Sequence, residues 1–138
     1  MRFDFALLAD AAQVVDGKLY VHGGGLTRMT ATSVPWMQPV AICMRLEPDA
    51  DEDLNREWQF RVVVLGPEDV PIFAHETPIR LQQPDVEVVE GEKPGVLLAL
   101  TLGGLMVHDY GPHRVSLALD GAETELPFAV IPPVQPSP

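Results

Sequence analysis

Alternation of apolar and polar residues dominates this chain. Between Met37 and Glu47, four apolar side chains fall on one face and more polar or smaller ones on the other. The apolar face holds Val40, Ile42, Met44 and Leu46. A period of two is typical of a strand with one buried face. The same pattern recurs at 57–65, 96–102, 114–119 and 125–130. These five segments predict five strands.

The amino-terminal third adds further strands. Phe3, Phe5 and Leu7 alternate with polar or small residues, and residues 18–22 alternate as well. Asp16-Gly17 predicts a tight turn before that second segment, whereas residues 11–14 fit a strand or a short helical turn equally. Gly23-Gly24-Gly25 then interrupts the extended chain, which we expect to resume over 26–32 after a bulge or a switch between sheets.

Turn residues and prolines set the remaining boundaries. Asp120-Gly121 predicts a hairpin between the last two strands. Pro127 cannot donate a ladder hydrogen bond, so it predicts an edge or a bulge. Residues 70–89 contain Pro71, Pro78 and Pro84, which favour only short edge strands around 72–73 and 79–81.

Together these patterns predict the fold class. We expect an all-β protein, an antiparallel β-sandwich of the immunoglobulin-like or C2-like kind with about seven or eight strands. It forms one domain over 1–131, followed by a proline-rich extended tail at 132–138.

Charge and composition exclude several classes of function. The 138 residues carry 20 acidic and 9 basic side chains, a formal net charge of −11, so we expect neither nucleic-acid nor membrane-surface binding. The first ten residues contain Asp4 and Asp10 and lack the basic start of a secretory signal. No apolar run approaches the roughly 20 residues that span a bilayer. The lone Cys43 fits a cytoplasmic protein without disulfides.

An acidic connection gives the first candidate metal site. Asp49, Asp51 and Asp53 alternate in a segment of the kind that holds calcium at one end of some sandwiches. An EF-hand is excluded, because Leu54 and Phe60 stand where it needs glycine and glutamate. The alternative, which the sequence favours, is a solvated acidic loop that keeps edge strands from pairing.

The histidines and nucleophiles give weaker candidates. His108 and His113 flank a predicted turn and could join a carboxylate around zinc, although ordinary hydrogen-bonded histidines fit the same positions. Gly23 to Gly25 match no phosphate-loop motif. Cys43 has no histidine near it in sequence, and no serine lies in a GxSxG motif. We therefore expect a non-enzymatic protein without a cofactor.

Residues 9–25 carry a recognisable motif. The string ADAAQVVDGKLYVHGGG, with Trp58-Gln59-Phe60 and the later LPFAV at 126–130, resembles an uncharacterised bacterial family that is frequent in actinobacteria. The resemblance spans most of the chain and implies a compact β-domain that stands alone in the cytoplasm. It implies no activity, cofactor or site residue.

The preferred functional hypothesis rests on the outer faces of the predicted strands. Several positions there are apolar or small where a solvated face is more polar: Val63, Leu65, Leu97, Ala99, Ala118 and Ala129. Either another layer of the same chain or a partner covers them, so we expect a protein-interaction or assembly module that self-associates. The alternative is a small-ligand or metal-binding protein with its site in the loops near 23–25, 49–53 or 108–113.

Overall fold

The structure is a computed structural model that describes residues 1–82 and 89–136. In these residues the chain forms ten strands and two three-residue 3₁₀ helices, Asp51–Asp53 and Pro67–Asp69. The strands are β1 (Arg2–Ala9), β2 (Ala11–Val15), β3 (Lys18–His22), β4 (Arg28–Thr30), β5 (Trp36–Glu47), β6 (Glu57–Leu65), β7 (Pro71–Arg80), β8 (Val96–Val107), β9 (Gly111–Leu119) and β10 (Ala122–Ile131). No helix of the described segments is long and apolar enough to cross a membrane. The predicted all-β class is confirmed.

The strands form two sheets around a shared core, with a hairpin added. One sheet has the order β1-β5-β8, the other the order β4-β10-β9-β6-β7, and β2 pairs with β3. Apolar side chains from both sheets meet in one core, including Ile42, Met44, Phe60, Leu117 and Phe128. Because the alternating segments supply these side chains, the predicted core positions of β5, β6, β9 and β10 lie at or beside this core.

The strand count and one direction differ from the prediction. Ten strands replace the predicted seven or eight, partly because residues 11–15 pair with β3 and form a strand instead of a helical turn. Among the strands of residues 1–82 and 89–136, all pairs are antiparallel except β4 with β10, which is parallel. The chain leaves the β2–β3 hairpin and enters the other sheet as β4, so of the two alternatives for Gly23 to Gly25, a bulge or a switch between sheets, the structure has the switch.

A bulge in β1 changes which of its residues face the core. The pairing with β5 shifts between Phe3 and Phe5, so Phe3 pairs with Leu46 whereas Leu8 pairs with Ile42. Leu8 is therefore in the core, and Leu7 packs on the opposite face of the sheet. The simple alternation of Phe3, Phe5 and Leu7 predicted one face for all three, because a bulge leaves no signal in the period.

Two prolines lie inside strands. Pro127 lies in β10, an interior strand whose register with β9 is unbroken, so neither the predicted edge nor the predicted bulge is found there. The backbone N–H of Ala129 donates to the carbonyl of Thr27 next to β4. Pro127, two residues earlier, has its backbone nitrogen on the same side of the strand but lies beyond the end of the β4 pairing. Its missing N–H therefore costs no ladder bond. Pro78 lies in β7, a single ten-residue edge strand where two shorter ones were predicted. Pro84 lies outside the described residues.

The β2–β3 hairpin covers the outer face of the three-stranded sheet. Ala9, Ala41 and Cys43 are fully buried there beneath hairpin residues Ala12, Leu19 and Val21. The turn at Asp16-Gly17 has positive φ at both residues, as predicted for a tight hairpin. Residues 9–25 therefore have a structural purpose in this chain, since they build the layer that buries the outer side of β5.

Candidate functional site

The acidic connection after β5 binds donors of the same chain. The Oδ2 atom of Asp53 accepts the backbone N–H groups of Asp49 at 2.8 Å and Ala50 at 3.3 Å, and the amino group of Met1 at 3.3 Å. Asp49 also pairs with that amino group, and Asp51 is exposed. The bond from the Asp49 amide and the Met1 charge lower the pKa of Asp53. Two of the three calcium candidates are thus engaged with backbone and terminal nitrogen atoms.

The two histidine candidates lie in different surroundings. His108 is exposed just after β8, whereas His113 is a buried residue of β9. Within residues 1–82 and 89–136, no group of three or more His, Cys, Asp or Glu side chains is arranged to hold a metal ion. Neither the acidic connection nor the histidine pair is assembled into a ligand set in this part of the chain.

Charged side chains at the start of β1 and the end of β5 form a network. Glu47 is buried and accepts hydrogen bonds from Arg2 and from Arg45, the latter at 2.7 Å. Arg45 also donates to Asp4 at 3.0 Å and to the Lys93 carbonyl at 3.1 Å. The Arg2 bonds, followed by those of Arg45, lower the pKa of Glu47. Every charged group of this network is paired, so it ties strands together without leaving a reactive group.

Cys43 is enclosed by the hairpin layer. It has no exposed surface, and burial raises the pKa of its thiol. A thiol in such surroundings is a poor nucleophile, because the reactive form is the thiolate.

His113 lines one of the open clefts of the described surface. An open cleft of about 200 Å³ lies between the Pro67–Asp69 turn and the start of β9. The rings of Pro67, Pro112 and Pro127 contribute to its walls, and Glu68 and Asp69 stand beside it. The cleft therefore combines apolar walls with an acidic margin.

The imidazole of His113 is held by two contacts. Its Nδ1 atom lies 2.9 Å from the carbonyl oxygen of Gly111, and its ring stacks on Phe128 with 5.1 Å between centroids. The residue is only 5% exposed, and its Nε2 atom is buried without a hydrogen-bond partner in the described structure. A carbonyl only accepts, so Nδ1 carries the proton and neutral His113 presents Nε2 as an acceptor.

Arg114 connects the two sides of the cleft. Its Nη1 atom donates to Asp69 at 2.6 Å, and its Nε atom lies 3.4 Å from Glu125 without hydrogen-bond geometry. Sequence reasoning singled out His113 but missed this setting. The alternation of His113 with Val115 and Leu117 could have predicted that the His113 ring faces the core. No sequence pattern joins residues 66–69 to His113.

A second candidate surface is the outer face of the five-stranded sheet. Val63, Leu65, Ser116 and Ala118 lie at its centre, half-buried, on neighbouring strands β6 and β9. Charged residues of both signs surround them: Arg61, Arg80, Arg114, Glu57, Glu76, Glu123 and Glu125. No element of the described chain lies over this face as the hairpin lies over β5.

The comparisons with known proteins identify a family. A family model described as "Family of unknown function (DUF6941)" matches residues 4–131. The chain belongs to this family. A search of the curated proteins finds no match for the chain. Membership in DUF6941 agrees with the resemblance to an uncharacterised family and brings no activity with it.

Proposed function

We propose that this member of DUF6941 is a non-enzymatic protein-interaction module that self-associates through the outer face of its five-stranded sheet. One observation carries the proposal. The hairpin buries the outer side of β5, whereas Val63, Leu65 and Ala118, with Ser116 beside Val63, form a partly exposed and mostly apolar centre with no layer over it in the described residues. A partly apolar sheet face gains free energy when a second protein surface covers it.

Charge complementarity favours a second copy as the occupant. The chain carries a net charge of −11, so most of its surface repels another copy. This face differs, because Arg61 and Arg114 stand near its centre and glutamates stand on the flanking strands β7 and β10. In a two-fold dimer the same patch meets itself, so Arg61 of one copy can pair with Glu123 or Glu125 of the other.

Sedimentation velocity tests this proposal with a matched pair of variants. We expect the wild-type protein to change from monomer to dimer between roughly 1 and 100 µM, the range of a small, partly polar interface. Val63→Glu places a charge at the centre of the face and should keep the protein monomeric. Met37→Glu, at an exposed position outside this face, should leave dimerisation unchanged.

A charge exchange makes the test specific. Arg61→Glu alone should weaken dimerisation, and the double variant with Glu123→Arg should restore part of it. Circular dichroism checks that each variant is folded. A wild-type protein that is monomeric over the whole concentration range would refute self-association.

The proposal extends to the type of fold, the cellular location and the taxonomic range of the family. We infer that the two packed sheets are a sandwich of the immunoglobulin-like or C2-like kind, a view supported by their shared core. The single cysteine and the acidic composition support a cytoplasmic location. The quoted motif supports a bacterial, mainly actinobacterial, range for the family.

A further inference from the structure

We propose that the cleft beside His113 binds a small primary ammonium compound with a short apolar body. This site adjoins the self-association face proposed above and shares Arg114 with it, but its acceptor residue His113 points inward from β9 whereas Val63 and Leu65 point outward. The proposal rests on a buried acceptor without a partner, on the charge around it, and on the glycine that lies against it.

The acceptor is the Nε2 atom of His113. Leaving a buried polar atom without a hydrogen bond is unfavourable, and native proteins rarely do so without a ligand or water. Since Nδ1 holds its proton towards Gly111, the neutral ring needs a donor at Nε2. An N–H group of a ligand supplies one.

The charges around the cleft select a cation. Glu68, Asp69 and Glu125 lie at or near it, and Arg114 is the one basic side chain among the described lining residues. Asp69 and Glu125 share Arg114, so the cleft keeps an excess of negative charge. The three proline rings favour an apolar body on the ligand, and 200 Å³ equals the volume of roughly six or seven water molecules. The ligand is therefore small.

Gly66 lies against the acceptor atom of His113. A Cβ atom at this position would lie 3.7 Å from Nε2 and would meet no atom closer than 3.5 Å. The φ of Gly66 is −84°, which any residue adopts. Neither backbone nor packing requires glycine here, and a methyl group would come into contact with Nε2. The missing side chain leaves room beside this buried acceptor.

The experiment is an NMR titration that observes the imidazole nitrogen atoms of His113. The probe is n-propylammonium chloride, added up to roughly 50 mM at constant ionic strength, because so small a ligand binds with a millimolar dissociation constant. We expect a saturable shift of Nε2. Sodium propionate, the matched anion, should give none, and tetramethylammonium, a cation without an N–H donor, should bind at least five-fold more weakly.

Two variants tie binding to the proposed geometry. Gly66→Ala should weaken propylammonium binding at least ten-fold, as measured by the shifts of neighbouring backbone amides. It should not lower the Tm. His113→Phe keeps a ring against Phe128 but removes the acceptor, and should abolish binding. Val63→Glu, the variant that tests self-association, should leave this binding unchanged.

Any of four results would overturn the proposal. These are no saturable shift with propylammonium, equal binding of propionate, equal binding of tetramethylammonium, or wild-type affinity in both the Gly66→Ala and His113→Phe variants.

Discussion

The guanidinium group of Arg45 lies in the space that a side chain at residue 95 would fill, so Gly95 is what allows Arg45 to reach its partners. From there Arg45 bonds to Asp4 on β1, to Glu47 on its own strand and to the Lys93 carbonyl ahead of β8. One arginine thereby links β1 and β5 to the segment that precedes β8.

Gly95→Ala should destabilise the protein because the new methyl group displaces the Arg45 guanidinium from Glu47 and Asp4. We expect the Tm to fall by roughly 3–6 °C in differential scanning calorimetry. Gly103→Ala is the matched control, since nothing lies within 4 Å of a Cβ there. Equal Tm values for the two variants would contradict the structural importance of the Arg45 position.

The pH dependence of stability should reveal Glu47. Its pKa is lowered from the ordinary 4.5 by Arg2 and then Arg45. A carboxyl whose pKa is lower in the folded state stabilises the protein above its unfolded pKa, and this contribution is lost as the pH falls through the folded pKa. Urea denaturation should therefore show a gap between wild type and Glu47→Gln at neutral pH that narrows below about pH 4.5. A gap independent of pH would rule out this charge effect.

Cys43 should report on opening of the hairpin layer. With no exposed surface, its thiol should react with a chromogenic aromatic disulfide at least 100-fold more slowly in the folded protein than in urea. Leu19→Ala removes packing above Cys43 and should speed the native reaction roughly 5- to 30-fold. Val15→Ala, on an exposed residue of the same hairpin, is the control. Equal rates for both variants would show that the hairpin does not control access.

Gly23→Ala should be more harmful than Gly25→Ala. Both glycines have positive φ, so both substitutions cost about 1 kcal/mol of backbone strain. At Gly23 the methyl group would also collide with the Asp10 carboxylate, whereas at Gly25 it meets open space. Chemical denaturation should give Gly23→Ala the larger loss. The double variant with Asp10→Ala should recover part of the difference, and no recovery would assign the effect to the backbone alone.

The candidate sites were less predictable than the strands, for a physical reason. Period-two alternation reports which face of a strand is apolar, and His113 is in phase with Val115 and Leu117 by that rule. The cleft beside His113, however, is completed by Gly66 and Asp69, which lie about 45 positions earlier in the chain. Arg114 and Asp69, which share a hydrogen bond, are 45 positions apart. Such pairs depend on strand order, which local patterns do not contain.

The sequence by itself determined that this chain is all-β, which side chains of β5, β6, β9 and β10 form the core, and where the hairpins at Asp16-Gly17 and Asp120-Gly121 turn. These features depend on neighbouring residues, through the alternation of a pleated strand and the φ preferences of turn residues. The tertiary structure decided which outer face is covered. Cys43 and Val63 both occupy outward positions in the pattern, yet the hairpin buries the first and leaves the second half-exposed. Only the path of the chain between sheets distinguishes them, and that path follows from the packing of the whole domain.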